Sequence, residues 1–133
     1  MCKTMKRRII SLILALSLCF AFSVTAYARY INEIAADSEL TTSNGKAVMY
    51  SSVYASADVT KIEMTQVLQK KNGTSFTDVS GTSASKTSYE CVASMENTVS
   101  YSGSGTYRVK MTCKVTSPKG TDNHTEYSNT VTR

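Results

Sequence analysis

The chain has no tryptophan, one proline, one histidine and three phenylalanines among 133 residues. Each scarcity narrows what it can do. The lone histidine, His124, in the polar stretch Asp122-Asn123-His124-Thr125, offers one imidazole where a catalytic triad also needs a positioned nucleophile, and reads as a solvated loop residue. The carboxylates are scattered without zinc or calcium spacing. No Gly-x-Ser-x-Gly elbow occurs, and Gly103-Ser104-Gly105 lacks the third glycine and following helix of a dinucleotide fingerprint, so it reads as a turn between strands. The ten acidic residues favour no particular pair for glycoside cleavage. These absences point to a non-enzymatic protein without cofactor or metal. With so few other aromatics, the eight tyrosines must supply much of the aromatic burial; Tyr50, Tyr54 and Tyr101 are also compatible with carbohydrate stacking or protein recognition.

Long apolar runs are missing too, except at the start. Lys3, Lys6, Arg7 and Arg8 precede an apolar run from Ile9 to Val24 and then Ala26-Tyr27-Ala28. A charged start, an apolar segment too short to span stably and small residues at a cleavage site together describe a secretory signal peptide over 1–28, cut between Ala28 and Arg29. Leu16-Ser17-Leu18-Cys19 loosely resembles a lipoprotein site, but Leu18 is large where a small residue is needed. With no second spanning stretch, the expectation is a soluble secreted protein.

Export changes the bulk numbers. Four of the fifteen basic residues leave with the leader and all ten acidic residues stay, so eleven positive charges face ten negative ones, a balance of +1. Nucleic acid and anionic membrane then lose their electrostatic basis. Of four cysteines only Cys91 and Cys113 remain. In an oxidising compartment this pair is expected to form one disulfide, whose loop closure contributes about 3 kcal/mol.

Residues 29–45 read as a lead-in with room for one edge strand, and 46–133 as one β domain. Ser, Thr, Val and Tyr dominate from Lys46 onward, punctuated by Gly and Asn. The clearest strand runs from Gly105 to Ser117, with Tyr107, Val109, Met111, Cys113 and Val115 on one face and Arg108, Lys110, Thr112, Lys114 and Thr116 on the other. Tyr89, Cys91, Ala93, Met95, Val99 and Tyr101 also share one parity, which turns both cysteines inward. Lys61–Lys71 carries Ile62, Met64 and Leu68 on one face and is followed by Asn72-Gly73, a hairpin signal. A three-residue loop Lys71-Asn72-Gly73 would set Leu68 opposite Phe76, and a two-residue turn would set it opposite Thr77; the first pairs two apolar side chains and is preferred. Lys46–Ala57 and Thr125–Val131 supply further strands, while 80–87 and 117–123 read as loops. Six or seven strands at this spacing predict an antiparallel β-sandwich.

Gly105-Thr106-Tyr107-Arg108-Val109-Lys110 resembles the penultimate strand of immunoglobulin-like and fibronectin type III-like domains. With Asn44-Gly45-Lys46-Ala47, Val59-Thr60-Lys61-Ile62, Leu68-Gln69-Lys70-Lys71 and Glu126-Tyr127-Ser128, the chain looks like a group of small uncharacterised secreted proteins of Gram-positive bacteria. The resemblance covers roughly residues 40 to 131. Phe76 stands where a Trp is expected after the hairpin, and no second-strand cysteine partners Cys113. The resemblance implies a fold and a location but no activity. The expected function is binding of an extracellular protein or glycan, with a bacteriocin-like effector and an unrecognised hydrolase as alternatives. Arg108, Lys110 and Lys114 with neighbouring Lys70 and Lys71 form the candidate binding stripe for an anionic polymer.

Overall fold

The structure, a computed structural model, describes residues 31–133. The expected leader, with Ala26, Ala28 and Arg29, lies outside the described residues. Period-two alternation builds nine strands: β1 (Ala35–Ser43), β2 (Lys46–Tyr54), β3 (Lys61–Asn72), β4 (Ser75–Asp78), β5 (Ala84–Ser88), β6 (Val92–Ser100), β7 (Thr106–Ser117), β8 (Gly120–Tyr127) and β9 (Val131–Thr132). There is no helix among the described residues. All pairings are antiparallel. One sheet has the order β1-β2-β6; the other has the order β4-β3-β7-β8, with β5 also on β3 and β9 also on β7. Neither sheet closes.

Several segments differ from expectation, each for a local reason. The segment read as a lead-in with room for one edge strand holds that strand, β1, which is longer than a lead-in would be and buries Leu40 to 2% exposure. Asn44 and Gly45, both at positive φ (51° and 74°), make the two-residue turn that pairs Ser43 with Lys46. An Asn-Gly pair suits that geometry, because both central residues of this turn type must be left-handed. The β3–β4 hairpin has a two-residue turn, Gly73-Thr74, in place of the preferred three-residue loop, and it starts one residue later than the alternative two-residue turn would. β3 continues to Asn72, which pairs with Ser75, and Gly73 takes the left-handed position (φ 65°). Leu68 therefore faces neither Phe76 nor Thr77: Phe76 pairs with Lys71, Thr77 pairs with Lys70, and Val79 N–H donates to the Leu68 carbonyl at 2.8 Å.

The two segments read as loops contain strand. β4 and β5 run along β3 as one interrupted edge, and Thr82 closes the excursion between them. Its hydroxyl donates to the Val79 carbonyl at 2.7 Å and accepts from Leu68 N–H at 3.1 Å. At 117–123 the chain reverses tightly, with Ser117 paired to Gly120. Interruption also separates β8 from β9, where Ser128 stands in for the ladder by accepting Val109 N–H on its hydroxyl at 2.7 Å.

The inner faces of the two sheets share two apolar clusters. One gathers Val53, Val59, Ile62, Met64, Ala93, Met111, Cys113 and Val115. The other gathers Leu40, Ala47, Met49, Leu68, Tyr107 and Val109. Between them along β1, β2 and β3 come Ser38, Ser51 and Gln66, all buried. Gln66 Nε2 donates to Ser51 Oγ across the two sheets at 2.9 Å, and the Ser51 and Ser38 hydroxyls bond at 2.8 Å. This polar belt fixes how one sheet sits on the other, because a slip would bury the same groups without partners.

Candidate binding face

Since Tyr107, Val109, Met111, Cys113 and Val115 are buried on β7, the intervening Arg108, Lys110, Thr112 and Lys114 stand on the outer face of the larger sheet. Register places Gln69 beside Arg108, Val67 and Tyr127 beside Lys110, and Glu63 and Asn123 beside Lys114. The later hairpin turn brings Phe76 onto this face. Arg108 is the centre of the arrangement. Its guanidinium carbon lies 3.9 Å from the Phe76 ring centre and 4.0 Å from that of Tyr127. Arg108 Nε donates to Gln69 Oε1 at 2.9 Å, and Gln69 Nε2 donates to Asp78 Oδ1 at 2.9 Å. Two rings and a hydrogen-bonded relay hold the guanidinium in one orientation, so it can meet an anion or a sugar face with little further loss of rotamer freedom.

Of the five residues in the expected stripe, Arg108, Lys110 and Lys114 share this face. Lys71 joins it at the far end, opposite Phe76. Lys70 does not, because it has the parity of Leu68: its ammonium lies 5.7 Å from the Tyr107 ring centre, and its stem lies against Gly105, where an added Cβ would come within 2.8 Å of Lys70 Cε. Glu63 on the face is paired with Lys61 at 3.3 Å. A shallow groove beside Lys110 is bounded by Thr65, Val67, Asp78, Ser80 and Thr112.

The other candidates separate. Tyr50 and Tyr54 are exposed on the outer face of the three-stranded sheet, away from the Arg108 cluster. Tyr101 is structural: it packs edge-on to Tyr107 with centroids 4.9 Å apart and carries Arg133 over its ring at 4.9 Å. His124 lies on β8 rather than in a loop, half-buried, with Nε2 2.9 Å from Glu126 Oε2. Asp58 is hydrogen-bonded by the Ser56 hydroxyl at 2.7 Å and lies 3.2 Å from the Lys119 ammonium, which together hold its carboxyl below the usual range and tie the β2–β3 connection to the β7–β8 turn. No group of three His, Cys, Asp or Glu side chains among the described residues could hold a metal ion.

Both cysteines turn inward as expected. Cys113 is buried on β7, and Cys91, in the bend before β6, packs against the same cluster from the other sheet. They are nevertheless free thiols, so the expected bridge is not formed. Burial pushes the Cys113 thiol up to about 11, which leaves little of the thiolate that disulfide exchange requires.

Sequence reasoning missed Phe76, Tyr127, Gln69 and Asp78. Tyr127 had a readable signal in the alternation of β8, but the place of Phe76 depended on where the turn began. No family model matches the chain, and no curated protein and no solved structure matches it.

Proposed function

We propose that the chain is a secreted, non-enzymatic binding module that engages an extracellular protein or glycan through the outer face of its larger sheet, with Arg108 at the centre. The observation that carries this reading is the guanidinium held between Phe76 and Tyr127 and oriented by Gln69 and Asp78. Arg between aromatic rings on an exposed sheet suits recognition of carboxylates, sulfates, phosphates or sugar faces. Lys110 and Lys114 extend the positive charge along the same strand.

An immunoglobulin-like or fibronectin type III-like sandwich is the finer reading of the fold. Supporting it, a β1-β2-β6 sheet is set against a β4-β3-β7-β8 sheet, and the Tyr107 hydroxyl donates to the Ser102 and Gly103 carbonyls at 2.9 and 3.1 Å, as in the tyrosine corner of such domains. Retention of the exported protein on cell-wall material and immobilised anionic glycans, compared with Arg108→Ala, tests the function. Retention that falls at least about tenfold in the variant supports it, by analogy with Arg hot spots. Equal retention of both proteins, or none of either, rejects it.

A further inference from the structure

The two outer faces carry opposite charge. On the three-stranded sheet the alternation that buries Leu40, Met49, Ser51 and Ala93 turns Asp37, Glu39, Tyr50, Tyr54, Val92 and Glu96 outward. Register sets Tyr50 between Glu39 and Glu96, with Asp37 in the next outward row and Tyr54 beside Val92 in the row after that. Tyr50, Tyr54 and Val92 are 38%, 55% and 41% exposed. Positive charge on this side comes from Lys46, at the hairpin end of β2, and from Lys86, which lines one groove with Tyr50 and Glu96 and has its ammonium engaged by the Ser94 carbonyl at 2.7 Å, so three acids face two lysines. The opposite side presents Arg108, Lys110 and Lys114 beside Phe76 and Tyr127, with its two acids engaged by Lys61 and Gln69.

We infer that the acidic, tyrosine-bearing face docks on the basic face of a second copy of this chain. This rests on the proposed reading of the Arg108 face as a binding surface and names one occupant of it. Charge complementarity makes the contact attractive and sets its orientation, while exposed tyrosines on one side and an aromatic-clamped arginine on the other supply apolar contact at its centre. Because the two faces lie on opposite sides of one molecule, the contact is head to tail and leaves a free face at each end, so copies add in an open series rather than closing as a pair.

Sedimentation velocity of the exported protein across a concentration series tests the inference. At about 0.02 M salt the weight-average sedimentation coefficient rises with concentration, and at about 0.5 M salt the apparent self-affinity drops at least about tenfold. Glu39→Lys with Glu96→Lys makes both faces basic, and Lys110→Glu with Lys114→Glu makes both acidic. Each variant alone sediments as a monomer, and an equimolar mixture of the two associates again. Because all four positions are on strand exteriors, circular dichroism should match the parent. A carbodiimide cross-link on the parent protein gives a readout without mutation, joining Lys110 or Lys114 of one copy to Glu39 or Glu96 of another. A monomer at every concentration and salt, association untouched by both variants, or intermolecular cross-links elsewhere overturns the inference. Loss of wall or glycan retention in Arg108→Ala with no self-association of the parent would leave the proposed function standing without it.

Discussion

Gln66 sits in a row of apolar neighbours, with Met64 and Leu68 on either side of it along the buried face of β3. Its amide nitrogen bonds Ser51, while its carbonyl oxygen is buried with no hydrogen-bond partner. Two substitutions separate its bulk from its polarity. Gln66→Ala leaves a cavity, and denaturant unfolding should show a loss of about 2 to 4 kcal/mol. Gln66→Met keeps the volume and removes the unpartnered oxygen while Ser51 keeps Ser38, so stability should stay within about 1 kcal/mol of the parent. A large loss in both variants would mean that the cross-sheet bond itself dominates. Cys113 gives a pH signature. Its thiol ionises near 9.0 when unfolded and near 11 when folded, so between those values the unfolded chain binds fewer protons and stability falls as pH rises. This contribution is intact below pH 9. Relative to Cys113→Ala, the parent should lose up to roughly 2 kcal/mol between pH 9 and 11, measured by urea unfolding. Parallel pH curves for the two proteins would contradict the assigned environment.

At the scale of elements, the exposed edge of β1 is held at Leu40 by a side chain from the β8–β9 connection. Asn129 accepts Leu40 N–H on Oδ1 and donates from Nδ2 to the Leu40 carbonyl, both at 3.0 Å, completing a missing ladder rung. Asn32, just before β1, ties that end of the chain to the larger sheet by donating its side-chain amide to the Val115 and Gly120 carbonyls. An open edge invites pairing with other chains, and the Asn129 contacts blunt it. Asn129→Ala should cost about 1 to 3 kcal/mol and speed amide exchange at Leu40, with exchange in β3 and β7 tracking only the global change. Unaltered exchange at Leu40 would show that the edge does not depend on Asn129. Here lies the boundary of what could be read from residues. β7 was legible in full, because complete alternation over twelve residues dictates which face is buried. β1 was legible only as room for an edge strand, since Ser38 fills a buried place with a polar side chain and leaves Leu40 as the only large apolar residue of that strand. β5 has no large apolar residue at all and exists because β3 offers it a ladder. The basic face was half legible: parity gave Arg108, Lys110 and Lys114 and, through Leu68, sends Lys70 to the other side, but Phe76 required the register of the β3–β4 turn.

For the whole molecule, residues 32–133 place opposite charge on the outer faces of two antiparallel sheets, and the proposed recognition surface is the face around Arg108. Tyr107→Phe probes the scaffold apart from that face. Losing the hydroxyl bonds to Ser102 and Gly103 should lower stability by about 1 to 2 kcal/mol in thermal unfolding, while retention on a bound glycan or wall fraction at low temperature is unchanged. If retention fell with stability, the end of the fold near Tyr107 would belong to the binding surface. The most direct test is a map of backbone amide shifts on titration with a retained anionic glycan, at a protein concentration low enough that the chain is monomeric. The account predicts perturbations centred on Gln69, Phe76, Arg108, Lys110 and Tyr127, with Tyr50 and Tyr54 quiet. Perturbations confined to the three-stranded sheet or to the connecting turns would contradict it.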